Sequence, residues 1–177
     1  SKLSAEKYVE GFHKDYGIDY NIVRFFNIYG PGQVAEFVLP RFIKMVQSGI
    51  SPKIYGDGKQ IRSFCHISDV SKAVVDIFLN KKAQNKTFNI GNDLEPITIL
   101  KLANKIVTML GAQLKPEFLS FEDSDRNSSR EIYNRVPDIS KIKEYVGYTP
   151  KIMLEEGIKD VISSGEIPES WADPVIK

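Results

Sequence analysis

One cysteine and two histidines are all this 177-residue chain offers of the side chains that most often cross-link a fold or hold a transition metal. The single Cys65 excludes an internal disulfide and fits a reducing cytoplasm, the compartment expected here. His13 and His66 fall in different elements, so no metal site is expected. Neither sign of charge prevails: 24 Lys and Arg against 23 Asp and Glu leave a formal net charge of +1. That balance gives no reason to expect nucleic acid or an anionic membrane as a partner. No apolar run approaches the roughly 20 residues that cross a bilayer. Internal repeats and low-complexity tracts are also missing. The length suits one domain.

What is there is an alternation of helix and strand signals. Ser1 to Tyr16 reads as a helix with Ala5, Tyr8, Val9, Phe12 and Tyr16 on one face, ended by Gly17. Tyr20 to Phe26 is an apolar run of strand length. A second helix carries Leu39, Phe42, Ile43 and Val46. Short strands are expected at 53–55 and 63–67, with Gly56-Asp57-Gly58 fitting a hairpin turn. Ser68 or Asp69 can cap a helix to Asn80 with the stripe Val70, Ala73, Val74 and Ile77. A strand at 87–90 follows, then a helix capped by Thr98 and a strand at 115–119. Residues 121–134 are polar and read as a mobile loop. Asp138 starts a short helix ending at Gly147, and 154–163 form the last helix. Residues 165–177 hold two prolines and read as a poorly ordered tail. The alternation argues α/β.

The most informative stretch is Arg24-Phe25-Phe26-Asn27-Ile28-Tyr29-Gly30-Pro31. Pro31 lacks the amide that a strand ladder needs, so the strand stops there. Asn27 is left near its C-terminal end, and in open α/β sheets ligands bind beyond those ends. The wording Phe-Phe-Asn-x-Tyr-Gly-Pro resembles the extended short-chain dehydrogenase/reductase family of NAD-dependent nucleotide-sugar epimerases and dehydratases. Three later segments resemble it in the same order: Ile54-Tyr55-Gly56-Asp57-Gly58-Lys59-Gln60-Ile61-Arg62, Thr87-Phe88-Asn89-Ile90-Gly91, and Arg135-Val136-Pro137-Asp138-Ile139-Ser140-Lys141.

The resemblance implies an α/β fold: the C-terminal portion of an extended Rossmann-type enzyme. It would be mainly the small mixed α/β substrate-binding domain plus the last elements of the dinucleotide-binding sheet. Residues 1–35 would trail from the dinucleotide-binding domain. Residues 36–164 would form the nucleotide-sugar-binding region, with 87–91 returning to the sheet, and 165–177 the tail. The family's glycine-rich dinucleotide fingerprint is not in this sequence. Ser1-Lys2 matches the end of its Y-x-x-S-K motif, whose Tyr would lie upstream. The expectation is therefore a fragment cut inside its catalytic motif, inactive alone and binding NAD poorly.

The resemblance also assigns roles. Lys2 would be catalytic, binding the nicotinamide ribose and lowering the pKa of the upstream Tyr. Phe25 and Phe26 would lie beside the nicotinamide, though core packing explains both as well. Asn27 would meet the substrate, since a polar residue in an apolar run needs a partner. Arg62 and Arg135 would grip the diphosphate, because guanidinium forks match phosphate oxygens. Arg126 and Arg130 are weaker candidates in a solvated loop. Leu39, Pro40, Ile54 and Tyr55 would line the nucleobase pocket. His66 and Asp69 do not make a proton relay, Asp69 being more simply a cap. Ser63 stands where the family usually has Asp.

Gly32, where decarboxylases of the family tend to carry Arg, and His66 favour a 4-epimerase. Such an enzyme oxidises the sugar at C4 with NAD and returns the hydride to the other face. A 4,6-dehydratase, a decarboxylase and a non-catalytic nucleotide-sugar-binding module are the alternatives. A homodimer packed through the first helix is expected, because its apolar stripe lacks a cover within this chain.

Overall fold

The computed structural model describes residues 1–120, 132–165 and 167–169. Helix α1 (Lys2–Tyr16) ends at Gly17, which takes the left-handed conformation that glycine adopts without strain. Strand β1 (Asn21–Phe25) follows and pairs in parallel with β6 (Lys86–Ile90), Val23 opposite Phe88. On one side of β1, the Arg24 guanidinium holds both oxygens of the α1 carboxylate Glu6.

The expected strand does not run straight on. Asn27 has φ 40°, a kink after which β2 (Ile28–Tyr29) joins a different partner, β5 (Cys65–His66). Helix α2 (Val38–Gln47) and strand β3 (Lys53–Tyr55) come next. Gly56-Asp57-Gly58 turns the chain, but no hairpin results. Strand β3 pairs with β8 (Glu117–Leu119), while β4 (Ile61–Arg62) sits between β7 (Ile97–Thr98) and β9 (Asn134–Arg135).

Helix α3 (Ile67–Leu79) is capped by neither Ser68 nor Asp69: His66 Nδ1 accepts from the Ser68 amide. Asp69 is buried, and its Oδ2 accepts from the amides of Lys151 and Ile152, both at 3.0 Å. Val70, Ala73 and Ile77 of the expected stripe are buried, whereas Val74 is exposed. Helix α4 (Ile99–Met109) has the expected Thr98 cap on the Lys101 amide. Helices α5 (Ser140–Val146) and α6 (Leu154–Ser163) close the chain. Glu95 Oε2 accepts from the Leu154 amide at the start of α6.

Two cores form. Around α2, β3, α4 and α6 lie Leu39, Phe42, Ile43, Ile54, Leu102, Ile106 and Ile158. Around β6, α3 and α5 lie Phe88, Ile90, Val70, Ile77 and Ile142. The expected tail is docked in part: Ile167 is buried, and the Pro168 carbonyl accepts from the Ala35 amide at 2.8 Å. The expected loop over 121–134 falls outside the described residues up to 131, taking Arg126 and Arg130 with it. Its end is strand β9. Among the described residues no helix is long and apolar enough to cross a membrane.

Candidate functional site

Arg62 and Arg135 are Cα partners across the parallel β4–β9 pair. Side chains alternate faces along a strand, so paired positions share a face. Both arginines line a trough of about 380 Å³. Arg62 Nη1 donates to the carbonyls of Ile132 at 2.7 Å and Ile61 at 2.9 Å, which fixes the guanidinium before any ligand arrives. Arg135 is exposed on the same wall.

Two more cations complete the trough, and the sequence reading missed both. Lys53 comes from β3. Arg41 comes from α2, its guanidinium carbon 5.9 Å from the ring centres of both Phe42 and Tyr55. Glu36 is the one carboxylate among the described residues of this lining. Three strands and a helix thus aim positive charge at one concave surface, an arrangement suited to a dianionic group.

The α2 wall differs from the expectation by one helical step. Leu39 and Pro40 are buried away from the trough; Val38 and Arg41 line it, and Phe42, fully buried in the core, backs it. The reason is helical spacing: positions 39, 43 and 46 share the core stripe, and 38 and 41 fall beside it. Ile54 and Tyr55 line the trough as expected, joined by Gln60. Gln60 is buried, donates to the Tyr55 carbonyl at 3.2 Å, and leaves its Oε1 without a partner.

Asn27 does find the partner it needs, within the protein. Its Nδ2 donates to the Ser63 carbonyl at 2.9 Å, and its own carbonyl accepts from the Cys65 amide at 3.1 Å. These bonds pin the kink after β1 to the segment between β4 and β5. Asn27 and Phe37 belong to the trough and also to a second cavity of about 480 Å³. The two spaces are therefore neighbours, with Asn27 and Phe37 between them. Phe25 opens into the second cavity with 51% of its surface exposed. Phe26 lines neither space; its amide donates to Ile90 O, and its side chain packs beside Gly91. Lys2, the first residue of exposed α1, also lines neither.

The remaining polar residues are structural. His66 Nε2 lies 3.2 Å from Asp160 Oδ2 without hydrogen-bond alignment, and Asp69 is spent on the α6 approach. No relay joins them. The Cys65 thiol is fully buried beside the Tyr148 hydroxyl at 3.3 Å, and burial pushes its pKa up to about 11. It is no nucleophile. Among the described residues no three His, Cys, Asp or Glu converge as a metal site.

The family model described as "NAD dependent epimerase/dehydratase family" matches residues 1–91. A UDP-glucuronate 4-epimerase of Thermodesulfobacterium geofontis is 31% identical over 163 residues, 92% of this chain and 48% of that protein. A UDP-N-acetyl-alpha-D-glucosaminuronate decarboxylase of Bacillus cytotoxicus is 36% identical over 150 residues, 82% of this chain and 46% of that one. The crystal structure of UDP-glucuronic acid 4-epimerase from Bacillus cereus, in complex with UDP-glucuronic acid and NAD, superposes with a TM-score of 0.82. It shares 29% identity and covers 92% of this chain and 50% of its own. The chain spans about half the length of the relatives it matches.

Proposed function

Since the chain belongs to the NAD-dependent epimerase/dehydratase family, we propose that it is the nucleotide-sugar-holding half of a 4-epimerase. The observation that carries this reading is the register pairing of Arg62 with Arg135 on the wall of the trough. Two forks on adjacent strands suit two phosphoryl groups, each oxygen taking a charge-assisted hydrogen bond. Lys53 and Arg41 add charge beside them. Ile54 and Tyr55 supply flat and apolar surface for a nucleobase at the trough's inner wall. Asn27, held at the junction, lies where the diphosphate ends and the sugar begins.

NAD, when bound, would supply the acceptor for the C4 hydride. Of the residues expected to meet it, Phe25 is the one open to a cavity. Lys2 would bind the nicotinamide ribose, and the rest of this chain would bind and orient the sugar nucleotide. The exposed stripe of α1 supports a homodimer, and the single buried thiol accords with a reducing cytoplasm.

The test is product identity. A polypeptide of the relatives' length that contains this chain is incubated with NAD and UDP-hexoses. Interconversion of the C4 epimers, with unchanged mass, is expected. Release of carbon dioxide from a uronate, or loss of water to a 4-keto-6-deoxy sugar, would replace the 4-epimerase by a decarboxylase or dehydratase. Turnover by the 177-residue chain alone would overturn the division of labour.

A further inference from the structure

The two neighbouring spaces differ in chemistry, and that difference bears on the sugar. The trough holds Arg41, Lys53, Arg62 and Arg135. In the second cavity the described lining has no amine, guanidinium or carboxylate. Its walls are rings and aliphatic groups: Phe25, Ile28, Pro31, Phe37 and Ile67. Each of its two carboxamides already donates one N–H within the protein, Gln33 Nε2 to the Ile28 carbonyl at 2.8 Å and Asn27 Nδ2 to the Ser63 carbonyl. Phe37 stands at the junction with 47% of its surface exposed.

We infer that the second cavity takes an uncharged hexosyl group, glucose or N-acetylglucosamine, and discriminates against a uronate. The inference rests on the reading of the trough as the diphosphate site. A bound diphosphate takes up much of the trough's charge. A carboxylate carried into the next cavity would then leave water for walls made mainly of rings and aliphatic carbons, a desolvation that no cation of the described lining offsets. A pyranose ring does better there, because its apolar C–H face packs on Phe37 while its hydroxyls keep the open side. The relatives whose names specify a uronate therefore do not set the substrate of this chain.

Isothermal titration of the 177-residue chain with UDP, UDP-glucose, UDP-N-acetylglucosamine and UDP-glucuronate tests this. UDP-glucose and UDP-N-acetylglucosamine should bind at least as tightly as UDP, and UDP-glucuronate about tenfold more weakly than UDP-glucose. A Phe37→Arg variant should remove or reverse that ratio by giving the carboxylate a partner. Phe25→Arg serves the same purpose should Phe37→Arg fail to fold. UDP binding with UDP-glucuronate as tight as UDP-glucose overturns the inference and leaves the trough assignment intact. No binding of UDP overturns the trough assignment and the inference with it.

Discussion

Replacing Gly157 by Ala should destabilise the protein even though Ala is the better helix former. Gly157 is the fourth residue of α6, and the Tyr29 ring lies against its Cα. An added Cβ would overlap the Tyr29 hydroxyl outright, with Cζ at 2.7 Å and Cε2 at 3.0 Å. The ring cannot swing away cheaply. It is 2% exposed and packs edge-on against Phe64 and His66, with centroids 6.2 and 5.4 Å away. Overpacking costs about 1–3 kcal/mol, and an overlap this close with a ring this confined belongs at about 2–3 kcal/mol; the Gly-to-Ala gain in a helix offsets about 1 kcal/mol. The net loss is about 1–2 kcal/mol, a fall in Tm of roughly 2–8 °C for a chain of this size. Urea unfolding followed by circular dichroism measures it. Tyr29→Phe is the control, because the buried hydroxyl has no hydrogen-bond partner and its removal should cost little. In the double variant the overlap shrinks to the Cζ contact, so part of the loss should return. A Gly157→Ala protein as stable as its parent, or a double variant with no recovery, would refute the packing argument.

Alkali should weaken the fold through Cys65. Its thiol ionises near 9.0 when unfolded and near 11 when buried. Above pH 9 the unfolded chain sheds a proton that the folded chain keeps, so stability falls between pH 9 and 11, by about 2–3 kcal/mol in all. Tyr29 and Tyr148, both raised mainly by burial, act in the same direction; equal urea midpoints at pH 8 and 10.5 would contradict this. Thr98→Ala should cost about 1 kcal/mol through loss of the α4 cap, and an unchanged midpoint would show that the cap contributes nothing. The exposed α1 stripe, with Tyr8 at 72% and Phe12 at 55%, should drive self-association. Sedimentation velocity should find the parent larger than a Tyr8→Glu, Phe12→Glu variant, and a monomeric parent would sink the idea.

The helices were legible because each carries a 3.6-residue stripe and most have a terminal signal. Gly17, Thr98 and Gly147 mark ends that the structure keeps, and 154–163 agrees at both ends. The strands β4, β7 and β9 were not legible. Two residues are too few to show a period, and their hydrogen bonds join segments some 35 to 70 residues apart in sequence, as with Ile61 and Thr98 or Arg62 and Arg135. The two arginines could be named from wording but not placed in register by it. Arg41 and Lys53 were invisible for a different reason: a charge on an amphipathic helix or short strand is by default solvated. Asp69 resembled a cap because it opens a helix, yet the amides it serves lie at 151 and 152, beyond any local signal. Residues 167–169 looked like a tail because prolines and charges surround them, whereas Ile167 alone supplies the apolar anchor that docks them on the core of α2.

If Arg62 and Arg135 form one diphosphate site, a calorimetric titration of UDP into the chain and its single Arg→Ala variants will reveal it. Arg62→Ala and Arg135→Ala should each lose about 1.5–3 kcal/mol of UDP affinity, the scale of a charged hydrogen bond. Their circular dichroism should match the parent's. UDP affinities equal to the parent's in both variants would contradict it.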